Sequence, residues 1–174
     1  MPQTIIRPNA LVDSAGFDLS GTDLVSAISD GEFGTGVNQN QTAPCYLFVD
    51  MTNPEAEEIS PPINYIKVIV VASSNKTGES NIVVELWKEG MDSYLQSSEF
   101  ALVDIVQTKI SDKYYGYDGE EDFFDLLRVK ITPDEEGSSI YEVYIEITHG
   151  EVPTSGLIQL NTGLVKLNTG KVTL

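Results

Sequence analysis

The run from Phe123 to Ile147 limits the fold more than any other stretch of the chain. Leu126 to Thr132 reads Leu-Leu-Arg-Val-Lys-Ile-Thr, the loop Pro-Asp-Glu-Glu-Gly-Ser-Ser follows, and Tyr141 to Ile147 reads Tyr-Glu-Val-Tyr-Ile-Glu-Ile. Two alternating runs joined by turn residues predict a β-hairpin. With Ile131 opposite Tyr141, Val129 falls opposite Val143 and Leu127 opposite Ile145, so that one face is apolar and the other carries Arg128, Lys130, Glu142 and Glu146. Lys130 then meets Glu142. Burying the seven apolar side chains of this face, Ile147 included, is worth ~10–20 kcal/mol as a gross upper bound. Such a face needs a second sheet to cover it.

Length and charge narrow the choice further. A chain of 174 residues can bury one good core and is short for two. We divide it into an N-terminal arm or edge strand and loop (residues 1–21), a β-sandwich (22–150) and a C-terminal repeat arm (151–174). Twenty-seven acids against ten bases give a net charge of −17, which argues against nucleic acid and anionic membranes as partners. Cys45 is the single cysteine and His149 the single histidine, so neither a disulfide framework nor a thiolate or imidazole zinc site is expected. The opening Met-Pro-Gln-Thr-Ile-Ile-Arg-Pro has no secretory pattern, and no apolar run approaches the ~20 residues of a membrane span.

Along the chain, Thr4 to Arg7 reads as an edge strand or an arm lying on a neighbour, closed by Pro8. Leu24, Ala27 and Ile28 at helical spacing, with Ser20 or Thr22 as N-cap and Gly31 as stop, predict a helix of about two turns. Residues 31–44 read as an exposed loop. Strands are expected at Cys45–Met51, Ile63–Ser73, Asn81–Lys88 and Phe100–Ile110 before the closing pair. Ile63–Ser73 is apolar on both faces near its middle, as in a central strand, and Asn81–Lys88 is its expected hairpin partner. Many strands with short turn signals and one brief helix give an all-β chain. The fold class expected is an antiparallel β-sandwich of jelly-roll type with one short N-terminal helix and extended termini, an immunoglobulin-like sandwich being the alternative.

The tail differs in kind. Leu157-Ile-Gln-Leu-Asn-Thr-Gly163 is repeated as Leu164-Val-Lys-Leu-Asn-Thr-Gly170, followed by Lys171-Val-Thr-Leu174. Four-residue strands broken by turns do not hold together unaided in water, so this segment should either close its own sheet or pair with an adjacent subunit.

Few constellations carry chemistry. Tyr114, Tyr115, Tyr117 and Asp118, with Glu120, Glu121, Asp122 and Asp125 behind them, combine aromatics with acids. Such a loop could stack on a sugar or hold calcium, although the EF-hand spacing is missing and a solvated structural loop is the plainer reading. Glu120 and Asp125 are candidates for a carboxylate pair, but acids are abundant and chance pairs are expected. His149 ends the last core strand without a nucleophile elbow, Gly34-Thr-Gly36 is a turn, and Asn40-Gln-Thr42 and Asn75-Lys-Thr77 are fortuitous glycosylation triplets. Trp87 is expected in the core, with an exposed anchor shared with Phe33 as the alternative. No enzyme, cofactor or metal is expected.

Thr4-Ile-Ile-Arg-Pro-Asn-Ala10, the helix Asp23-Leu-Val-Ser-Ala-Ile28, and the closing pair Leu126–Thr132 and Tyr141–Ile147 resemble a group of tailed-bacteriophage virion proteins. The resemblance covers about 20 residues at each end of the core. It implies a non-enzymatic structural component of a phage virion: a capsid decoration or cement protein, made in the host cytoplasm and localised to the virion. Capsid or tail subunits and further copies of the chain would be its partners, a trimer fitting a threefold position. Assembly would run through Thr4, Ile5, Ile6 and Arg7 at one end and Leu157, Ile158, Leu160, Leu164, Val165, Leu167 and Val172 at the other, by strand addition to a neighbour's sheet. The alternative function is a tail- or fibre-associated carbohydrate- or receptor-binding module using Tyr114, Tyr115, Tyr117 and Asp118.

Overall fold

The computed structural model describes residues 2–18, 24–29, 36–39, 45–51, 59, 61–75, 80–119, 122–134 and 137–150. Alternating residues produce eleven strands there: β1 (Gln3–Ile6), β2 (Ala10–Ala15), β3 (Phe17–Asp18), β4 (Val37–Gln39), β5 (Tyr46–Asp50), β6 (Ile63–Ser74), β7 (Ser80–Lys88), β8 (Gln96–Leu102), β9 (Gln107–Ile110), β10 (Leu127–Pro133) and β11 (Ser138–His149). A single helical turn, α1 (Leu24–Ala27), separates β3 from β4. It is shorter than the two turns expected, and its cap candidates Ser20 and Thr22 lie outside the described residues.

The strands form two antiparallel sheets. One runs β3-β4-β11-β6-β9 with β1 also on β11, and the other β2-β5-β10-β7-β8. Setting aside β2, an extra edge strand on β5, and the short β3 and β4, the strands in chain order pair first–eighth–third–sixth and second–seventh–fourth–fifth, the jelly-roll pattern. Ile6, Leu47, Ile66, Leu86, Ile131 and Ile145 belong to one buried cluster shared by both sheets.

Residues 31–44, expected as an exposed loop, include β4 with Val37 and Gln39 buried, because β4 pairs with β11. Four further expectations change. First, β10 and β11 are not a hairpin: β10 lies between β5 and β7 in one sheet, and β11 pairs with β6, β4 and β1 in the other. Their inner faces meet across the core, where Leu127, Val129, Ile131, Val143, Ile145 and Ile147 are all buried. Second, β6 and β7 also sit in different sheets. The two chain crossings run side by side and bond to each other: Asn75 N–H donates to Gly137 O at 3.0 Å, Asp134 N–H to Asn81 O at 3.0 Å, and Asn81 N–H to Asp134 Oδ1 at 2.7 Å. Gly137 sits at φ +94°, where a side chain would be strained, and a Cβ there would run into the Asn75 amide. Third, the run expected as one strand from Phe100 to Ile110 is β8 in one sheet and β9 in the other. Fourth, residues 3–18 supply three strands to the sandwich: β1 is the edge strand expected near Thr4–Arg7, whereas β2 and β3 stand where arm and loop were expected.

A bulge in β11 between Ile140 and Glu142 shifts its phase. Ile140 points inward, Tyr141 is the extra residue, and Val143 resumes the inward row; this is why Tyr141 is not in the apolar face expected for it. Along the same edge β4 and β1 leave a gap, which the turn after α1 fills by accepting the Val143 N–H at Ile28 O, 2.9 Å.

Candidate functional site

The outer face of the five-stranded sheet carries a row of outward aromatics. On β5, Leu47 and Val49 point into the core, which sends Tyr46, Phe48 and Asp50 outward; on β7, Val84 and Leu86 point in, sending Glu85 and Trp87 out. Strand register places Arg128 of β10 between Asp50 and Trp87, and Lys130 between Phe48 and Glu85. The Phe48 and Trp87 rings meet over β10 with centroids 6.0 Å apart and planes at 65°. Tyr94, half exposed in the turn after β7, continues the row at 6.2 Å and 77° from Trp87. The expectation that Trp87 packs in the core is therefore corrected: it is half-buried on the outer face. Phe33, its proposed companion, lies outside the described residues.

Polar groups frame this row. The Trp87 indole Nε1 donates to Glu85 Oε2 at 3.3 Å. Arg128 pairs with Asp50 at 3.5 Å and Glu89 at 3.0 Å while its guanidinium sits 6.0 Å from the Phe48 ring centre. Lys130 lies 5.2 Å from the Tyr46 ring centre, and the Tyr46 hydroxyl donates to Asp13 Oδ2 at 2.5 Å. That hydrogen bond, with some desolvation and the charge of Asp13, raises the phenol's pKa. The result is a row of rings whose neighbouring donors and acceptors are fixed in advance.

The loop singled out in the sequence divides its tyrosines among different tasks. Tyr114 forms an antiparallel bridge with Ile66, and its hydroxyl donates to Gly116 O at 2.8 Å. Burial is the main cause of its raised phenol pKa. Tyr117 stacks on Phe124 at 5.3 Å and meets Phe123 edge-on at 5.2 Å, closing one end of the core. Asp118 pairs with Lys88 at 2.8 Å. Tyr115, at 69% exposure, is the loop tyrosine presented to solvent; it lies edge-on to Tyr65, which holds the Lys113 ammonium 4.2 Å from its centre. Glu120 and Glu121 lie outside the described residues.

The residues expected to form an assembly arm are placed as follows. Thr4 Oγ1 and His149 Nε2 are 2.9 Å apart, Ile6 is buried in the core, and Arg7 Nη1 donates to both carboxylate oxygens of Glu142 at 2.7 Å. Ile5 is half exposed on the outer face. All four thus serve β1 and its junction with this chain's own β11. Leu157, Ile158, Leu160, Leu164, Val165, Leu167 and Val172 lie outside the described residues. Phe48, Trp87, Tyr94, Arg128 and Lys130 were missed as a site, although one signal for them exists in the sequence: Trp87 shares its face with Glu85, and Phe48 shares its face with Asp50.

The chain matches no protein-family model and no curated protein. Among solved structures it is similar to the carbohydrate-binding module CBM6cm-2 from Cellvibrio mixtus lichenase 5A in complex with cellotriose, at 12% identity and a TM-score of 0.48 over 85% of this chain and 98% of that one. It is similar also to the C-terminal CBM6 of LamC, a marine laminarinase from Zobellia galactanivorans, at 12% identity and TM-score 0.44 over 84% and 99% of the two chains. Eiger TNF from S. frugiperda is a third, at 8% identity and TM-score 0.37 over 88% and 96%. Likenesses at these values say nothing about function, which has to come from the side chains.

Proposed function

We propose that the chain is a non-catalytic carbohydrate-binding module whose site is the outer face of the five-stranded sheet. The observation that carries this reading is the row Phe48–Trp87–Tyr94, three rings held outward on strands and a turn, with charged and hydrogen-bonding groups fixed between them. Sugar rings offer C–H faces for stacking and hydroxyls for hydrogen bonds, which is the chemistry that such a row supplies. Because Arg128 and Glu85 are already held by neighbours, little side-chain freedom is lost on binding. Interplanar angles of 65° and 77° give no coplanar platform, so the partner is a single polysaccharide chain that follows a twisted row.

This moves the weight from the expected capsid-decoration role to the alternative carbohydrate-binding one. Thr4, Ile6 and Arg7 make contacts within the chain's own sheet, while Ile5 is half exposed. The resemblance to virion proteins is compatible with the new reading if the glycan belongs to a host surface.

Trp87 is the single tryptophan, so its emission reports directly on the site. Titration with β-glucans, xylan, β-galactan and bacterial surface polysaccharides is expected to change that emission with one of them. In a depletion assay against the bound polysaccharide, Trp87→Ala and Phe48→Ala should each weaken binding by about 5- to 30-fold, the loss of ~1–2 kcal/mol of ring contact. Absence of binding across the panel, or unchanged affinity in both variants, overturns the reading.

A further inference from the structure

We propose that the outer face of the six-stranded sheet carries a second binding site, built from Tyr65, Lys67, Lys113 and Tyr115, for a sugar that bears a carboxylate. The site is on the other sheet of the sandwich from Phe48 and Trp87, and it does not rest on what that row binds.

Strand parity brings the four residues together. Ile66 points into the core and Tyr114 is its antiparallel bridge partner, so the residues flanking each, Tyr65 and Lys67 on β6 and Lys113 and Tyr115 after β9, turn outward. The Tyr115 ring meets Tyr65 edge-on at 6.2 Å and 68°. The Lys113 ammonium lies 4.2 Å from the Tyr65 ring centre, and the Lys67 ammonium 5.6 Å from it.

The backbone that presents Tyr115 is fixed on both sides. Tyr114 N–H donates to Ile66 O at 2.8 Å, and Tyr114 O accepts the Ile66 N–H at 2.9 Å. The Tyr114 ring approaches Gly116 so closely that a Cβ there would overlap it. Tyr117 is anchored on Phe123 and Phe124. A ring at 69% exposure between two such anchors adds little to the core, yet its backbone is held in one place. Its flat face is open to the C–H side of a sugar, at a small loss of chain freedom on binding.

Charge then selects the class of sugar. In a chain of net charge −17, Arg7 is taken up by Glu142, Lys67 by Glu146, Lys88 by Asp118, and Arg128 by Asp50 and Glu89. Lys113 is exposed and pairs with no acid among the described residues, its neighbour Asp112 included. The Tyr65 ring holds this ammonium in place without neutralising it, which leaves it free to donate to a carboxylate. The Trp87 face has the opposite balance: Asp13, Asp50, Glu85 and Glu89 stand around Arg128 and Lys130, an arrangement that disfavours an anion. One free ammonium beside one open ring matches a sugar ring that carries a single negative charge.

Affinity electrophoresis of the full chain at neutral pH tests the proposal, in gels containing polygalacturonate, alginate, hyaluronate or polysialate, each beside its carboxyl-reduced form. We expect at least one acidic polymer to retard the protein, and carboxyl reduction to lower the affinity about tenfold or more. Against that polymer, Tyr115→Ala and Lys113→Gln should each weaken binding by about 5- to 30-fold, while Lys113→Arg should stay within about threefold of wild type. Trp87→Ala should bind the acidic polymer as wild type does, and Tyr115→Ala should leave binding of a neutral glycan at the Trp87 row unchanged, so that failure of one site is distinguished from failure of the other. The proposal is overturned if no acidic polymer binds, if binding survives carboxyl reduction, if Trp87→Ala abolishes it, or if Tyr115→Ala and Lys113→Gln both keep wild-type affinity.

Discussion

The two possible partners of Glu142 distinguish the sandwich from the simpler hairpin that its sequence suggests. In a β10–β11 hairpin Glu142 faces Lys130. In the structure its carboxylate, at 1% exposure, is held by Arg7 at 2.7 Å, while Lys130 lies on the outer face of the other sheet. Stacked sheets sit ~10 Å apart and both side chains point away from the core, so the two charges are separated by about 20 Å. Coulomb's law gives ~0.2 kcal/mol at that distance in water, and screening at physiological salt reduces it further. Breaking a fully buried ion pair costs about 3–5 kcal/mol; the Arg7 side chain is 40% exposed, so Arg7→Met should cost about 2–3 kcal/mol. The assay is urea unfolding followed by Trp87 emission, on Arg7→Met, Lys130→Met, Glu142→Gln and the two double variants. We expect a coupling of about 1–2 kcal/mol between Arg7 and Glu142 and one within ~0.3 kcal/mol between Lys130 and Glu142. A Lys130–Glu142 coupling of about 1 kcal/mol with none to Arg7 would refute the sandwich pairing.

Burial pushes the Cys45 thiol up to about 11 from its ordinary 9.0, so the folded protein keeps a proton that the unfolded chain releases. Stability should be unaffected by this group below about pH 9 and fall between about pH 9 and 11, a decline that Cys45→Ala removes from the pH dependence of urea midpoints. The same burial predicts that a disulfide reagent labels Cys45 at pH 8 only on unfolding, and rapid labelling of the native protein would count against it. Tyr117→Ala should destabilise the fold by about 2–4 kcal/mol through loss of the Phe123 and Phe124 contacts, whereas Tyr115→Ala should stay within ~0.5 kcal/mol; equal effects in thermal melts would contradict the placement of these rings.

Much of the inward-facing pattern was legible from residue order. Ile82, Val84 and Leu86 on β7 alternate with Val83, Glu85 and Trp87, and Leu127, Val129 and Ile131 on β10 alternate with Arg128 and Lys130; all six are buried. The sheet-face site was less legible because an aromatic residue on a strand satisfies a core as readily as a surface. On that ground Trp87 reads as a core residue. Its shared parity with Glu85 is the feature that outweighs it, since a carboxylate on the same face as a core tryptophan would be buried without a partner. The aromatic row itself could not be read in advance: Phe48 and Trp87 are far apart in sequence and meet only because β10 lies between β5 and β7, while Tyr94 joins them through the turn after β7.

The run from Phe123 to Ile147 shows where the division falls. Its alternation determined which side chains enter the core, because a strand's period of two fixes faces whatever the neighbours are. Only at Tyr141 did that fail, where the β11 bulge adds a residue. Which strand bonds to which was decided by the tertiary structure. Backbone N–H and C=O groups are the same at every position, and Pro133 to Ser139 has the composition of a hairpin turn whether it folds a strand back on its neighbour or carries it across to the opposite sheet. The crossing is chosen because β6–β7 makes the same one beside it and because β5 and β7 already occupy both edges of β10.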